Sequence, residues 1–133
     1  MSKLIDELKR EHAVIVDGLA QLMNTVISSK EGQQLLLNVK QSLLAHLKKE
    51  DGQLYPVLNK AAEKDSALKQ TLDHFARDMA EISEAAIAFF DKYSRVGADI
   101  GFPADFGRLY AALKIRVHRE EDVIYAKHER LNP

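Results

Sequence analysis

Large apolar side chains recur along this chain in steps of three and four residues, the period of a helix that lays one face on its neighbours. In the first stretch Leu8, Ile15, Leu19, Leu22 and Val26 keep that step. They predict a helix from a cap near Ser2 to about residue 28. Ser28-Ser29-Lys30-Glu31-Gly32 then reads as a turn. Leu36, Val39, Leu43 and Leu47 predict a second helix over about residues 32–51, with a short helical continuation after Pro56. A third begins at the Asp65-Ser66 cap signal and reaches about residue 93, carried by Leu68, Leu72, Phe75, Met79, Ile82, Ala86 and Phe89. Gly97, Gly101 and Pro103 mark the clearest loop, over residues 94–103. Phe106, Leu113, Val117 and Ile124 supply the apolar contacts of a fourth helix, about residues 104–130.

Composition strengthens this reading. The 133 residues include 17 Leu and 16 Ala but only two Thr, and the three prolines fall at 56, 103 and 133. Strong helix formers dominate, and the intervals between prolines leave room for uninterrupted helices. The expected fold is all-α, an up-down-up-down antiparallel four-helix bundle, because short connections favour antiparallel neighbours. Residues 1–133 are expected to form one domain, since a chain of this length fits a single core.

Charge and cysteine content then exclude whole classes of function. Nineteen basic and 20 acidic residues leave a formal net charge of -1, too balanced to attract nucleic acid or an anionic membrane. The absence of cysteine rules out disulfides, thiolate metal sites and a cysteine nucleophile. No apolar run approaches the roughly 20 residues that cross a bilayer, and the charged first ten residues lack the apolar segment of a leader peptide. A soluble, cytoplasmic protein is expected.

Polar residues on an inward stripe need a chemical reason. His12 continues the series Leu8, His12, Ile15, Leu19, and His46 continues Val39, Leu43, His46, Glu50. His46 and Glu50, four residues apart, share one inward face. In the fourth helix Ala111, Ile115, His118, Asp122 and Tyr125 repeat the spacing, while the third offers His74 with Asp78 at +4 and Glu81 at +7. His74 and His118 fall at the edges of their apolar stripes, about 110° from the centre at 100° per residue. Each half of the chain thus reads as a histidine preceded by an acid, then a His-x-x-x-acid pair: His12 with His46 and Glu50, and His74 with His118 and Asp122.

A single His-x-x-x-acid pair is cheap and is usually a surface ion pair. Acids are 20 of 133 residues, so one histidine has an acid at +4 about 15% of the time. Three of the five histidines have one here, an excess that favours metal ligation. His128, among Lys127, Glu129 and Arg130, is expected to be solvated. Tyr55 and Tyr125 are expected to pack with a wet hydroxyl at the border of the site. Glu121 replaces Asp122 as candidate ligand if the fourth helix is slightly rotated.

Imidazoles and carboxylates without thiolates suit iron, manganese or zinc. Six candidate ligands exceed the needs of one tetrahedral zinc, and two cations bridged by carboxylates would use them all. A ferritin-like arrangement would require Glu-x-x-His, and none of the five histidines has a Glu three residues before it.

The pattern resembles hemerythrin and the hemerythrin-like HHE cation-binding domains. The match is carried by Glu11-His12, by His46-Leu47-Lys48-Lys49-Glu50-Asp51-Gly52-Gln53-Leu54-Tyr55-Pro56, by His74, and by His118 with Asp122. The resemblance implies an oxo- or hydroxo-bridged pair of iron ions, with manganese or zinc as substitutes. His12, His46, His74 and His118 would be terminal ligands, Glu50 and Asp122 bridges, and Ile115 a wall of an apolar gas pocket. It implies dioxygen, nitric oxide or another small diatomic molecule as ligand. Two departures stand out. Oxygen carriers of the family have a second third-helix histidine where this chain has Asp78, and their fourth-helix Asp lies five residues after the histidine, where this chain has Val123. A carboxylate in place of an imidazole favours the ferric state, which points to sensing, iron handling or peroxide and nitric oxide chemistry over oxygen storage. The alternatives are a di-iron enzyme acting on peroxide or nitric oxide and a metal-free helical interaction module.

Overall fold

The computed structural model describes residues 3–96 and 101–131, all in helices and their short connections, with no strand among them. Helix α1 spans Lys3–Met23, α2 Lys30–Lys49, α3 Tyr55–Ala62, α4 Ser66–Val96, α5 Phe102–Arg119 and α6 Ala126–Leu131. One π-helical turn, Glu50–Leu54, joins α2 to α3, and another, Glu120–Tyr125, joins α5 to α6. Each pair therefore forms one rod, and the molecule is a bundle of four.

Local chemistry sets the rod ends. Ser29 accepts the Gly32 backbone N–H at 3.0 Å and starts α2, and Asp65 accepts the Leu68 N–H at 3.1 Å and starts α4. Helix α1 stops at Met23, five residues short of the expected end, and Val26 is exposed. The expected cap at Ser2 and the loop glycine Gly97 lie outside the described residues.

Contacts between the first two rods run in opposite order. Glu7 meets Lys49, Glu11 meets His46, and Gly18 approaches Val39. Between α4 and α5 the same reversal links Tyr93 to Asp105 and Asp78 to Arg116. This is the order expected of antiparallel neighbours.

The interior is divided in two. One apolar cluster includes Ile15, Leu19, Val39, Leu43, Phe89 and Leu113. The other includes Leu8, Leu54, Leu58, Phe75 and Ile124. Between Leu8 and Ile15, between Leu43 and Leu54, and between Leu113 and Ile124, the inward positions are polar. A polar layer therefore separates two hydrophobic ends. His128, expected in solvent, is buried: it lies one turn after Ile124 on the inward face of the rod.

Candidate metal centre

Four buried side chains converge in the polar layer: His12, His46, Glu50 and Glu120. One ligating atom of each lies within 4.8 Å of the others. His12 comes from α1 and His46 from the last turn of α2, while Glu50 and Glu120 each open a π turn. π turns often mark functional positions, since the extra residue re-aims side chains. Here the Tyr55 N–H reaches back five residues to the Glu50 carbonyl. Glu50 and Leu54, at the two ends of this turn, are both buried.

Each imidazole is held from behind by an acid. His12 Nδ1–H donates to Glu121 Oε2 at 2.8 Å, and His46 Nδ1–H donates to Glu11 Oε1 at 2.8 Å. Glu11 is itself bound by Lys49 at 2.9 Å, which also reaches Glu7 at 2.7 Å. The Nε2 atoms face inward, 3.1 Å from Glu120 Oε1 for His12 and 3.3 Å from Glu50 Oε2 for His46. Outer carboxylates that fix the ring and leave Nε2 free are the usual support of a metal-bound histidine.

Two tyrosines tie the carboxylates across the bundle. Tyr125 donates to Glu50 Oε2 at 2.6 Å and Tyr55 to Glu120 Oε2 at 2.7 Å. The Tyr125 hydroxyl also lies 3.2 Å from His12 Nε2, and its ring stacks on the imidazole at 5.3 Å between centroids. Burial, with Glu120 and Glu50 nearby, raises the pKa of both phenols, so they stay protonated.

Burial pushes the Glu50 carboxyl up to about 7, helped by the charge of Glu120 and opposed by His46. Burial acts on Glu120 in the same direction, but His12, the Glu50 proton and Tyr55 outweigh it and its pKa falls. His46 is also disfavoured as a cation by burial, yet Glu50 and Glu11 prevail and raise its pKa. Two carboxylates this close keep one proton between them unless a cation takes its place.

The donors fit a cation. Two imidazole nitrogens and two carboxylates, all buried and within reach of one point, suit iron, manganese or zinc. The rest of the sequence-expected ligand set lies elsewhere. His74 is 68% exposed and forms a surface pair with Asp78 at 3.2 Å. Glu81, His118 and Asp122 are exposed. The series Ala111, Ile115, His118 runs along the outer side of α5, because Phe106, Leu109 and Leu113 turn the other side inward. Asp78 is taken by Arg116 at 2.8 Å. Ile115 is 53% exposed and lines no part of the cluster.

Glu120 is the site residue that sequence reading missed, and Glu121 stands behind His12 instead of in the cluster. A signal for Glu120 existed: Glu50 and Glu120 are each followed five residues later by a tyrosine. Beside Glu50 lies a cavity of about 660 Å³ walled by Leu47, Tyr55, Leu72, Met79 and Ala80, among others.

Comparison with curated proteins found no match, nor did comparison with solved structures. A family model described as the hemerythrin HHE cation binding domain matches residues 3–127 of the 133. On that match, which contains both histidines and both glutamates of the cluster, the chain belongs to the hemerythrin HHE cation-binding domain family.

Proposed function

We propose that this protein is a hemerythrin-like non-haem metal protein, with iron the favoured ion, that binds a small diatomic molecule such as dioxygen or nitric oxide beside that metal. The observation that carries the reading is the burial of His12, His46, Glu50 and Glu120 around one point. Without a cation, burying two adjacent glutamates is costly even with a proton held between them, and a metal-free interaction module gives the cost no purpose. The sequence reading of two bridged irons needed imidazoles from His74 and His118, and neither reaches the cluster. The four donors support one ion.

When bound, that ion supplies a redox-active Lewis-acid centre for the small ligand. The protein's own residues prepare the place. Glu11 and Glu121 hold the two rings so that each Nε2 faces the centre. Tyr125, kept as a phenol, presents a hydroxyl proton at the Glu50 carboxylate and next to His12 Nε2. The cavity beside Glu50 provides an approach for a small molecule. A second reading, turnover of peroxide or nitric oxide at the same centre, draws support from that phenolic proton, and turnover assays separate it from simple binding.

The test is metal content after purification from iron-replete cells without chelator. About one tightly held metal ion per chain is expected, and its loss in His46→Ala or Glu50→Ala. Wild-type protein that emerges with no bound metal contradicts the reading.

A further inference from the structure

Laying the second half of the chain on the first reveals a repeat whose register differs from the one the histidines suggest. With an offset of 67 (79 − 12), Leu8, His12, Ile15 and Leu19 fall on Phe75, Met79, Ile82 and Ala86. With an offset of 70 (116 − 46), Leu43, His46, Glu50 and Tyr55 fall on Leu113, Arg116, Glu120 and Tyr125. The backbone follows the same register. Glu50 and Glu120 each sit at φ -62° and ψ -45°, and each opens a π turn. The tyrosines cross over reciprocally, Tyr55 to Glu120 and Tyr125 to Glu50.

In this register the counterparts of the two clustered histidines are Met79 and Arg116. The outer acid that holds His46 is Glu11, and its counterpart is Asp78 (78 − 11 is again 67). Asp78 still grips its partner, but that partner is the Arg116 guanidinium, at 2.8 Å. Met79 lies with Glu50 and Asp51 on the wall of the 660 Å³ cavity, and Asp51 is the counterpart of Glu121 (121 − 51 = 70). The second half of the chain thus keeps the carboxylate and the tyrosine, the outer acids Asp78 and Asp51 have their counterparts in place, and both imidazoles are lacking.

We infer that Met79 and Arg116 fix the metal complement at one ion per chain, in a site that repeats its carboxylates but not its imidazoles. A guanidinium has no lone pair to give, and a thioether is a soft, weak donor for ferrous iron or zinc. Beside Glu50, where a second ion would need nitrogen ligands, there is a cavity walled by a methionine. This inference rests on the metal-binding reading above and adds the residues that hold the count at one.

The experiment is anaerobic titration of the metal-free protein with ferrous iron, followed by gel filtration and elemental analysis, on the wild type and on the Met79→His/Arg116→His double variant. One iron per wild-type chain is expected, doubling to two in the variant, where Asp78 is already placed to orient the introduced imidazole. Two irons on the wild type overturn the inference while upholding the metal site. No iron on the wild type overturns the metal reading itself. A double variant with wild-type helical content that still takes one iron also overturns the inference. Should the variant not fold, electron paramagnetic resonance of the fully loaded, oxidised wild type decides: an isolated high-spin ferric signal is expected, and a silent, coupled pair contradicts it.

Discussion

A carboxyl group as deeply buried as Glu50 is tolerable in two ways, protonated or against a cation, and the two respond oppositely to substitution. Its pKa is pushed up from the ordinary 4.5 to about 7. A raised carboxyl contributes stability that is fully present below about pH 4.5 and is lost as pH rises through 7. At pH 8 the metal-free wild type therefore carries the cost of an ionised Glu50 beside Glu120. Glu50→Gln removes that charge and keeps an acceptor for Tyr125, so the metal-free variant is expected to be more stable by on the order of 1–3 kcal/mol. With saturating ferrous iron the order reverses, because the variant has lost a ligand and the stabilisation that binding brings. Thermal melts at pH 8, with chelator and with iron, check both signs, and a change of the same sign in both conditions contradicts the account. At this scale His12, His46 and Glu50 were legible because they sit centrally among large apolar residues. Glu120 is not, because the His-x-x-x-acid spacing singles out His118 and Asp122, at the edge of the stripe that Phe106 and Leu113 mark.

Among the elements, the rods were legible and their irregularities were not. Repeated steps of three and four locate all four, and the Ser29 and Asp65 side chains start two of them. The π turns leave no mark in a pattern read at constant period, since one extra residue per turn shifts everything after it by about 100°. That shift accounts for the burial of Tyr125, which lies at the end of the second π turn and about 120° from Leu113 at constant period. The junction of α1 and α2 also depends on a detail that periodicity cannot show. A Cβ at Gly32 would run into the Val26 carbonyl and come within 3.0 Å of the Ile27 backbone, and neither can yield as a side-chain tip would. Gly32→Ala is expected to destabilise the fold by on the order of 1–3 kcal/mol, despite the roughly 1 kcal/mol gain in helix propensity. Urea denaturation measures the sign, and a more stable variant refutes the packing described for this turn.

For the whole molecule, the decisive feature is a polar layer held between two apolar clusters, with stability coupled to what that layer and its surroundings bind. Protons are one such ligand. Burial lowers the pKa of His128 below the ordinary 6.5, against a smaller opposing effect of Glu129. As pH falls through about 6.5 the unfolded chain takes up the proton first, so His128 subtracts stability on acidification. Its counterpart in the first half is Leu58, also buried (128 − 58 = 70). His128→Leu is therefore expected to lose less stability than the wild type between pH 7.5 and 5.5 in denaturation with chelator present, and an unchanged pH dependence contradicts this assignment. No helix among the described residues is long and apolar enough to cross a membrane.

The most direct test of the metal centre is diffraction from crystals grown with iron, with anomalous data collected on both sides of the iron absorption edge. One anomalous peak is expected, in bonding contact with His12 Nε2, His46 Nε2, Glu50 and Glu120. A cluster without a peak, or iron found instead at His74 and Asp78 or at His118 and Asp122, would contradict it.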